Sequence, residues 1–171
     1  GTGKTWMAVQ LFLREILAGR SERPRIICAS KSSIEGTIVK GPSGILRWLP
    51  PDVPREWLPS KGHAGGLWIA GIKIVCLAAD APGQAIGMSR DVTWADDPAG
   101  WVESCGVDIA TEAWTQVLKS NSQGQSTVIV ATTAAGAAFL ADLLSPEQLN
   151  DPSFIRIHDL GAVEANAGNL A

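Results

Sequence analysis

The sequence predicts an α/β fold in three layers, with a mostly parallel β-sheet flanked by helices. Segments rich in β-branched residues alternate with amphipathic segments of helical periodicity, which is typical of parallel strands joined by helices. A glycine-containing motif directly precedes the first helical segment. The chain has 171 residues, of which 46% are hydrophobic and 18% charged, enough for one domain with a buried core. We therefore expect residues 1–171 to form a single domain.

The first half of the chain is predicted to contain a long helix, a strand, short helical segments and a β-hairpin. The predicted elements are a helix over 4–18, a strand over 25–29, a weak helix over 30–40, a helical turn over 45–49, and strands over 67–70 and 73–78. Gly19 ends the first helix, because glycine readily adopts the left-handed conformation found after helices. Four prolines fall within residues 50–60. Since proline cannot donate a backbone hydrogen bond, we expect no regular structure there.

The second half continues the alternation of strands and helices. It is predicted to contain a strand over 91–95 that ends in two acids, a helix over 107–121, a strand over 126–131, a helix over 134–144 and a strand over 154–157. The apolar face of the helix over 107–121 includes Ala113, Trp114 and Val117. This order of elements is what predicts the parallel sheet.

Charge is distributed unevenly along the chain. The formal net charge is −3, but the first 61 residues hold 10 of the 14 basic residues and only 5 of the 17 acidic ones. The overall charge excludes a polycation that coats nucleic acid. Contact with a polyanion is therefore expected to involve the first third of the chain. No apolar run approaches the roughly 20 residues of a membrane span.

The three cysteines do not form a metal-binding pattern. Cys28 and Cys76 fall in apolar runs, where we expect buried strand residues in a reducing cytoplasm. No Cys-x-x-Cys pair occurs, and His63 and His158 are far apart in the sequence. The spacing therefore argues against a structural zinc site.

The chain opens on Gly1, Thr2, Gly3, Lys4 and Thr5, which match the second half of the phosphate-binding loop G-x-x-x-x-G-K-[ST]. Glycine lets the backbone approach a phosphate, and the N–H groups that open the following helix face the anion. The lysine of this motif meets the β- and γ-phosphates, and the threonine offers a hydroxyl to Mg²⁺. The first glycine of the motif and its preceding strand are not in the chain, so we expect the first strand to be missing and a central sheet position to be empty.

A second motif consists of Asp96 and Asp97, which follow the β-rich run 92–95. An acid pair at the end of a strand is typical of the Walker B motif of ATPases, in which the first acid holds Mg²⁺ and the second orients the attacking water. Asp96 is thus the predicted metal ligand together with Thr5, and Asp97 the predicted catalytic residue. The alternative is a pair of solvated loop acids before Pro98.

With these motifs, the chain resembles the ATPase domain of the large terminase subunit of tailed bacteriophages. The segments that carry the resemblance are 40–46 (K-G-P-S-G-I-L), 84–87 (Q-A-I-G), 94–101 (W-A-D-D-P-A-G-W), 128–134 (V-I-V-A-T-T-A) and 161–171 (G-A-V-E-A-N-A-G-N-L-A). They occur in the family's order and cover nearly the whole chain. The resemblance implies a P-loop ATPase of the additional-strand type that couples Mg-ATP hydrolysis to DNA packaging.

The resemblance also implies partners and a coupling element. ATP and Mg²⁺ would be the cofactors. The partners would be double-stranded DNA, the portal protein, the small terminase subunit and further copies of the chain in a ring, in the cytoplasm of the bacterial host. Thr132 and Thr133 would sense the γ-phosphate and pass the signal to the parts that move DNA. The alternative for these residues is that they cap the helix that follows, because threonine is a good N-cap.

Three departures from the family leave other interpretations open, and the first is the missing front half of the phosphate-binding loop. Asp97 stands where the family usually has glutamate, and Ile86 where it usually has arginine, with Arg90 nearby but offset. The sequence also lacks the spaced carboxylates of a nuclease domain. The alternatives are an inactive prophage remnant of a terminase and another P-loop DNA motor of the helicase or recombinase type.

Overall fold

The computed structural model describes residues 3–58, 65–120, 126–143 and 154–157. The described strands are β1 (Arg25–Cys28), β2 (Arg55–Leu58), β3 (Gly66–Ile69), β4 (Ile72–Ala78), β5 (Val92–Asp96), β6 (Thr127–Ala131) and β7 (Phe154–Ile157). The described helices are α1 (Lys4–Leu17), α2 (Lys31–Ser33), α3 (Ile45–Trp48), α4 (Pro98–Cys105), α5 (Val107–Ser120) and α6 (Ala134–Ala141). A π-helix over Ile34–Val39 continues α2, and a 3₁₀ turn spans Pro82–Ala85.

The described strands form one mixed sheet in the order β2-β3-β4-β1-β5-β6-β7. The five strands β4, β1, β5, β6 and β7 run parallel to one another. At one edge of the sheet, β3 pairs antiparallel with β4, and β2 pairs antiparallel with β3. The prediction of an α/β fold with a mostly parallel sheet is confirmed.

Helical segments cover both faces of the sheet. On one face, Phe12 of α1 packs against Trp94 of β5, with ring centroids 5.8 Å apart. On the other face, Ala95 of β5 lies in a second core with Trp101 of α4 and Trp114 of α5. Successive residues of a strand point to opposite faces, which is why neighbouring residues such as Trp94 and Ala95 belong to different cores. The predicted three-layer arrangement is thus found.

Tryptophans are distributed between these cores and the surface. The chain has seven tryptophans and no tyrosine. Trp94, Trp101 and Trp114 are almost fully buried. Trp6 and Trp48 remain 37% and 42% exposed and form an edge-to-face pair with centroids 5.9 Å apart. This pair lies where α3 packs against the start of α1.

Several sequence predictions need correction. The prediction of irregular structure over 50–60 is wrong for Arg55–Leu58, which forms β2. The strand is compatible with the prolines because Pro54 precedes it and accepts a hydrogen bond from Ala70 through its carbonyl. β2 is moreover an edge strand, where pairing is needed on one side only. The helix α4 was not expected either; it begins with Pro98 in its first turn, where proline costs no hydrogen bond.

The expected empty position in the sheet is not found among the described strands. β7 lies directly beside β6, with Val128 opposite Phe154 and Ala131 opposite Ile157. The far side of β6 is therefore paired, as its backbone donors and acceptors require. No helix within the described ranges is both long and apolar enough to cross a membrane.

The contact between α6 and α4 gives a test of the packing. A Cβ built on Gly136 would stand 2.9 Å from the backbone nitrogen of Ala99 and would also collide with the Thr132 hydroxyl. We expect Gly136→Ala to lower the free energy of unfolding by about 1–3 kcal/mol, although alanine normally stabilises a helix. Urea denaturation of the variant checks this.

Gly36, in the π-helix, is the matched control because a Cβ there would meet nothing within 4 Å. Gly36→Ala should be neutral or stabilise by up to about 1 kcal/mol. Equal effects of the two substitutions would show that α6 and α4 are not closely packed.

Candidate functional site

Three predicted motifs meet at the carboxyl edge of the sheet. The helix α1 packs across β5 and β6, and the charge of Lys4 at its start acts on the two acids that end β5. Asp96 ends β5, and Thr132 follows the last residue of β6. The carboxyl ends of parallel strands beside a helix N-terminus are the usual place for a ligand site in α/β folds.

The start of α1 is a helix N-terminus that follows a left-handed glycine. Gly3 is the N-cap of the helix with φ of 78°, a conformation that favours glycine. A Cβ at this position would meet no atom of the described residues within 4 Å. Lys4 and Thr5 form the first turn, where helical N–H groups lack intrahelical acceptors. Gly1 and Thr2, which also belong to the predicted nucleotide site, lie outside the described residues.

Asp96 and Asp97 sit close together in a partly buried position. Burial and, next, the negative charge of Asp97 raise the pKa of Asp96 to about 7. Burial also raises the pKa of Asp97, and Glu103 adds to this rise. The charge of Lys4 acts in the opposite direction on both carboxyls. Lys4 is therefore near enough to interact electrostatically with both acids, which brings the two predicted motifs together.

Asp97 has an unusual backbone. Its φ of 47° and ψ of 69° lie in the left-handed region, where aspartate and asparagine are tolerated better than other side chains. Its N–H donates to the carbonyl of Ala131 on β6 at 2.7 Å. A Cβ built on Gly100 would stand 3.0 Å from Asp97 Oδ2, so the carboxylate lies directly over the first turn of α4. Asp97 is therefore half-buried and held by the turn at the start of α4.

Trp101 stabilises this turn through a hydrogen bond and through its buried ring. Its indole N–H donates to the backbone carbonyl of Asp96 at 2.8 Å, and the ring is fully buried beside Trp114. Sequence reasoning did not assign a role to Trp101. The sequence did contain an indication of this role, because Trp101 stands four residues after Asp97, which is about one helical turn.

The two threonines after β6 have different surroundings. Thr133 is the N-cap of α6, and its hydroxyl accepts from the N–H of Gly136 at 3.3 Å. The capping role that the sequence left open is thus confirmed for Thr133. Thr132 is buried, and its hydroxyl donates to the carbonyl of Thr133 at 3.2 Å. The coupling role of both residues stays a prediction.

Ile86 and Arg90, which the sequence offered at or near an expected arginine position, lie elsewhere. Arg90 precedes β5, whereas Asp96 ends it, so the arginine is at the opposite end of the strand from the acid pair. Ile86 is 61% exposed, in the same region as Arg90. Arg90 is therefore not brought to the site.

The oxygen atoms at this edge of the sheet are suitable ligands for a divalent cation that prefers oxygen. The two acids contribute carboxylates in mutual repulsion, which a cation would relieve, and Thr5 in the first turn of α1 carries a hydroxyl. Asp97 Oδ1 is buried and has no hydrogen-bond partner within the described part of the chain. A cluster of three or more His, Cys, Asp or Glu ligands does not occur there. The residues present could thus hold a Mg²⁺ ion that takes its other ligands from phosphate or water.

Comparison with family models, with curated proteins and with solved structures finds no match to this chain.

The raised pKa of Asp96 predicts a pH-dependent stability in metal-free buffer. The unfolded chain has the ordinary pKa of 3.8, so the folded protein binds the proton more tightly between about pH 4 and pH 7. The free energy of unfolding due to this group therefore falls as pH rises through that window. We expect Asp96→Asn to flatten this fall and to be more stable than the unmodified protein at pH 8, as measured by urea denaturation across the pH range.

Asp91 is a control for this experiment, because its pKa is shifted in the opposite direction. Burial raises its pKa, but hydrogen bonds from Ser21 and from the backbone N–H groups of Glu22, Arg23 and Val92 outweigh burial and lower the pKa below the ordinary value. Its stabilising contribution is present above the unfolded pKa and is lost as pH falls. Asp91→Asn should therefore destabilise the protein at neutral pH. Destabilisation by both substitutions at pH 8 would contradict the assigned environment of Asp96.

Proposed function

We propose that this chain is an ATPase domain that binds Mg-ATP at the start of α1. The observation that carries the proposal is the position of Lys4. It begins a helix behind a left-handed glycine, and its charge acts on Asp96 and Asp97 at the end of the neighbouring β5. A lysine at a helix N-terminus attracts phosphate, and an adjacent acid pair attracts the accompanying cation. This juxtaposition supports a site for a metal-bound phosphate chain.

Each residue would have a separate task. Bound Mg²⁺ supplies the charge that phosphoryl transfer requires. Thr5 and Asp96 would hold the ion, while Lys4 would meet the β- and γ-phosphates. Asp97 would orient the attacking water and accept its proton. The burial that raises the pKa of Asp97 favours this task, because a carboxylate of higher pKa is a better base near neutral pH.

The domain would belong to the large terminase subunit of a bacteriophage, which packages DNA in the host cytoplasm. This part of the proposal follows from the resemblance. The ring of copies, double-stranded DNA, the portal protein and the small terminase subunit are partners that it implies. The close approach of Gly136 to Ala99 supports coupling through Thr132 and Thr133, because a shift of α4 at the acid pair would displace α6 as well. ATPase activity with duplex unwinding or strand exchange would instead favour a helicase or recombinase motor.

Removal of the Lys4 charge tests the nucleotide site. We expect Lys4→Ala to lower ATP hydrolysis by about 100-fold or more, since a positioned charge at the transferring phosphate contributes on this scale. The assay is ATP turnover with Mg²⁺ and double-stranded DNA, in the chain and in a longer protein that contains a complete phosphate-binding loop. Lys73→Ala is the matched control, because Lys73 is exposed on β4 and lies over Trp68.

Near-normal turnover by Lys4→Ala would refute the site. Absence of ATP binding and turnover in both unmodified proteins would favour the inactive prophage remnant.

Asp97 allows binding to be separated from hydrolysis. We expect Asp97→Asn to lower single-turnover ATP hydrolysis by about 100-fold and to change ATP affinity little, because Thr5 and Asp96 would hold the ion. Asparagine tolerates the left-handed backbone, so the turn should be preserved. Glu103→Gln is the control, as it removes a second carboxylate that acts on Asp97 from α4. Hydrolysis by Asp97→Asn at the unmodified rate would show that Asp97 does not orient the water.

A further inference from the structure

A single peptide group joins the two acids of the candidate site, and hydrogen bonds hold it at both ends. At one end, the N–H of Asp97 donates to the carbonyl of Ala131 at 2.7 Å. At the other end, the carbonyl of Asp96 accepts from the indole N–H of Trp101 at 2.8 Å. Because a peptide group is planar, the two bonds together fix its orientation between β6 and α4. This orientation sets ψ of Asp96 and φ of Asp97, and therefore the directions in which the two side chains project.

The peptide group leads into a disfavoured backbone conformation at Asp97. The φ of 47° and ψ of 69° lie in the left-handed region, which persists in residues other than glycine where the surrounding structure maintains it. The hydrogen bond to Ala131 is made by the backbone and extends the ladder between β5 and β6. The hydrogen bond from Trp101 is made by a side chain. A substitution of Trp101 can therefore remove one of the two bonds and leave the other in place.

Trp101 is itself held by the core behind the turn. Its side chain is fully buried, and its ring centroid lies 6.3 Å from that of Trp114 on α5. Trp114 is almost fully buried as well, but its indole nitrogen has no hydrogen-bond partner within the described ranges of the chain. The two tryptophans thus share one core, and of the two it is Trp101 that is bonded to the backbone of the acid pair.

Gly100 affects the carboxylate of Asp97 and not its backbone. A Cβ built on Gly100 would stand 3.0 Å from Asp97 Oδ2, whereas its next neighbour from another element, the Cβ of Ala29, would be 3.8 Å away. A separation of 3.0 Å is shorter than an ordinary van der Waals contact, so the carboxylate would have to move aside. Glycine at this position therefore leaves the space that the carboxylate of Asp97 occupies.

We propose that Trp101 and Gly100 are positioning residues for the acid pair. Trp101 orients the peptide group between the acids, and Gly100 leaves room for the carboxylate of Asp97. The inference rests on the proposed function, in which Asp97 orients the attacking water. A misplacement of about 1 Å in an active site can lower a rate by about 100-fold. Loss of either residue is therefore expected to lower the rate of hydrolysis and to leave the affinity for ATP nearly unchanged.

The competing role for both residues is structural, and it predicts a different pattern. Trp101 belongs to the core shared by α4 and α5, so its truncation lowers stability in either role. Gly100 lies inside α4, where alanine normally stabilises a helix. The atom that its Cβ would approach is the end of a side chain, which can move at little cost. Gly100→Ala therefore separates an effect on the rate from an effect on stability.

The experiment measures single-turnover ATP hydrolysis, ATP affinity and melting temperature in the two proteins used to assay Lys4→Ala. We expect Trp101→Phe and Gly100→Ala each to lower the rate of hydrolysis by about tenfold or more and to change ATP affinity by less than about threefold. Trp101→Phe should also lower the melting temperature, whereas Gly100→Ala should leave it unchanged or raise it.

Each variant has a matched control. Trp114→Phe truncates a neighbouring buried indole that is not bonded to the acid pair. Gly36→Ala adds a Cβ that would meet no atom of the described residues within 4 Å. Both controls should hydrolyse ATP at nearly the unmodified rate. The proposal is overturned if Trp114→Phe lowers the rate as much as Trp101→Phe does, or if Trp101→Phe or Gly100→Ala hydrolyses ATP at the unmodified rate.

Hydrogen exchange of the Asp97 amide, followed by NMR without nucleotide, separates failure of this inference from failure of the proposed function. We expect exchange to be faster by about tenfold or more in Trp101→Phe than in Trp114→Phe, because the peptide group loses one of its two hydrogen bonds. If the unmodified proteins hydrolyse no ATP, the proposed function fails, while this difference in exchange still supports the positioning role of Trp101. Equal exchange in the two variants overturns that role, whatever the ATP assay shows.

Discussion

The left-handed turn at Asp97 is the constraint on which the candidate site depends. The N–H of Asp97 continues the β5–β6 ladder by one hydrogen bond to Ala131, and the chain then reverses into α4 at Pro98. Trp101 closes the turn through its hydrogen bond to the carbonyl of Asp96. The carboxyls of both acids are thus fixed by backbone geometry and by a buried indole. The site can accept the electrostatic cost of two adjacent acids because this scaffold prevents them from moving apart.

The two ends of β5 have opposite electrostatic character. At the carboxyl end, acids lie near the N-terminus of α1, whose helix dipole is positive. At the amino end, Arg25 and Arg90 lie near the C-terminus of α5, whose dipole is negative. Each cluster is therefore partly stabilised by a helix end. The sheet therefore separates two clusters of opposite charge.

Periodicity along the chain was sufficient to predict most of the fold. The amphipathic pattern of α1 and the apolar runs of β5 and β6 are local signals, and they also placed Asp96 at a strand end. β2 was missed because the prolines around it argue against regular structure, and because an exposed edge strand has little hydrophobic pattern. The position of β7 beside β6 depends on pairing between distant segments, which local sequence does not encode.

The fine geometry of the site was less predictable for a related reason. The left-handed φ of Asp97 results from the hydrogen bond to Ala131 and from the start of α4, both of which are tertiary features. The same holds for the close approach of Gly136 to Ala99. The residue types of the motifs were therefore readable from the sequence, whereas the contacts that hold them were not.

The uneven burial of tryptophan gives the molecule two spectroscopic populations. Trp94, Trp101 and Trp114 are in dry surroundings and should emit at short wavelength, whereas Trp6 and Trp48 are in contact with water and should emit further to the red. Trp6 lies two residues beyond Lys4, while the buried group spans both cores. The red part of the emission therefore includes the surface at the start of α1, with contributions from the half-buried Trp57 and Trp68, and the blue part reports on the integrity of the interior.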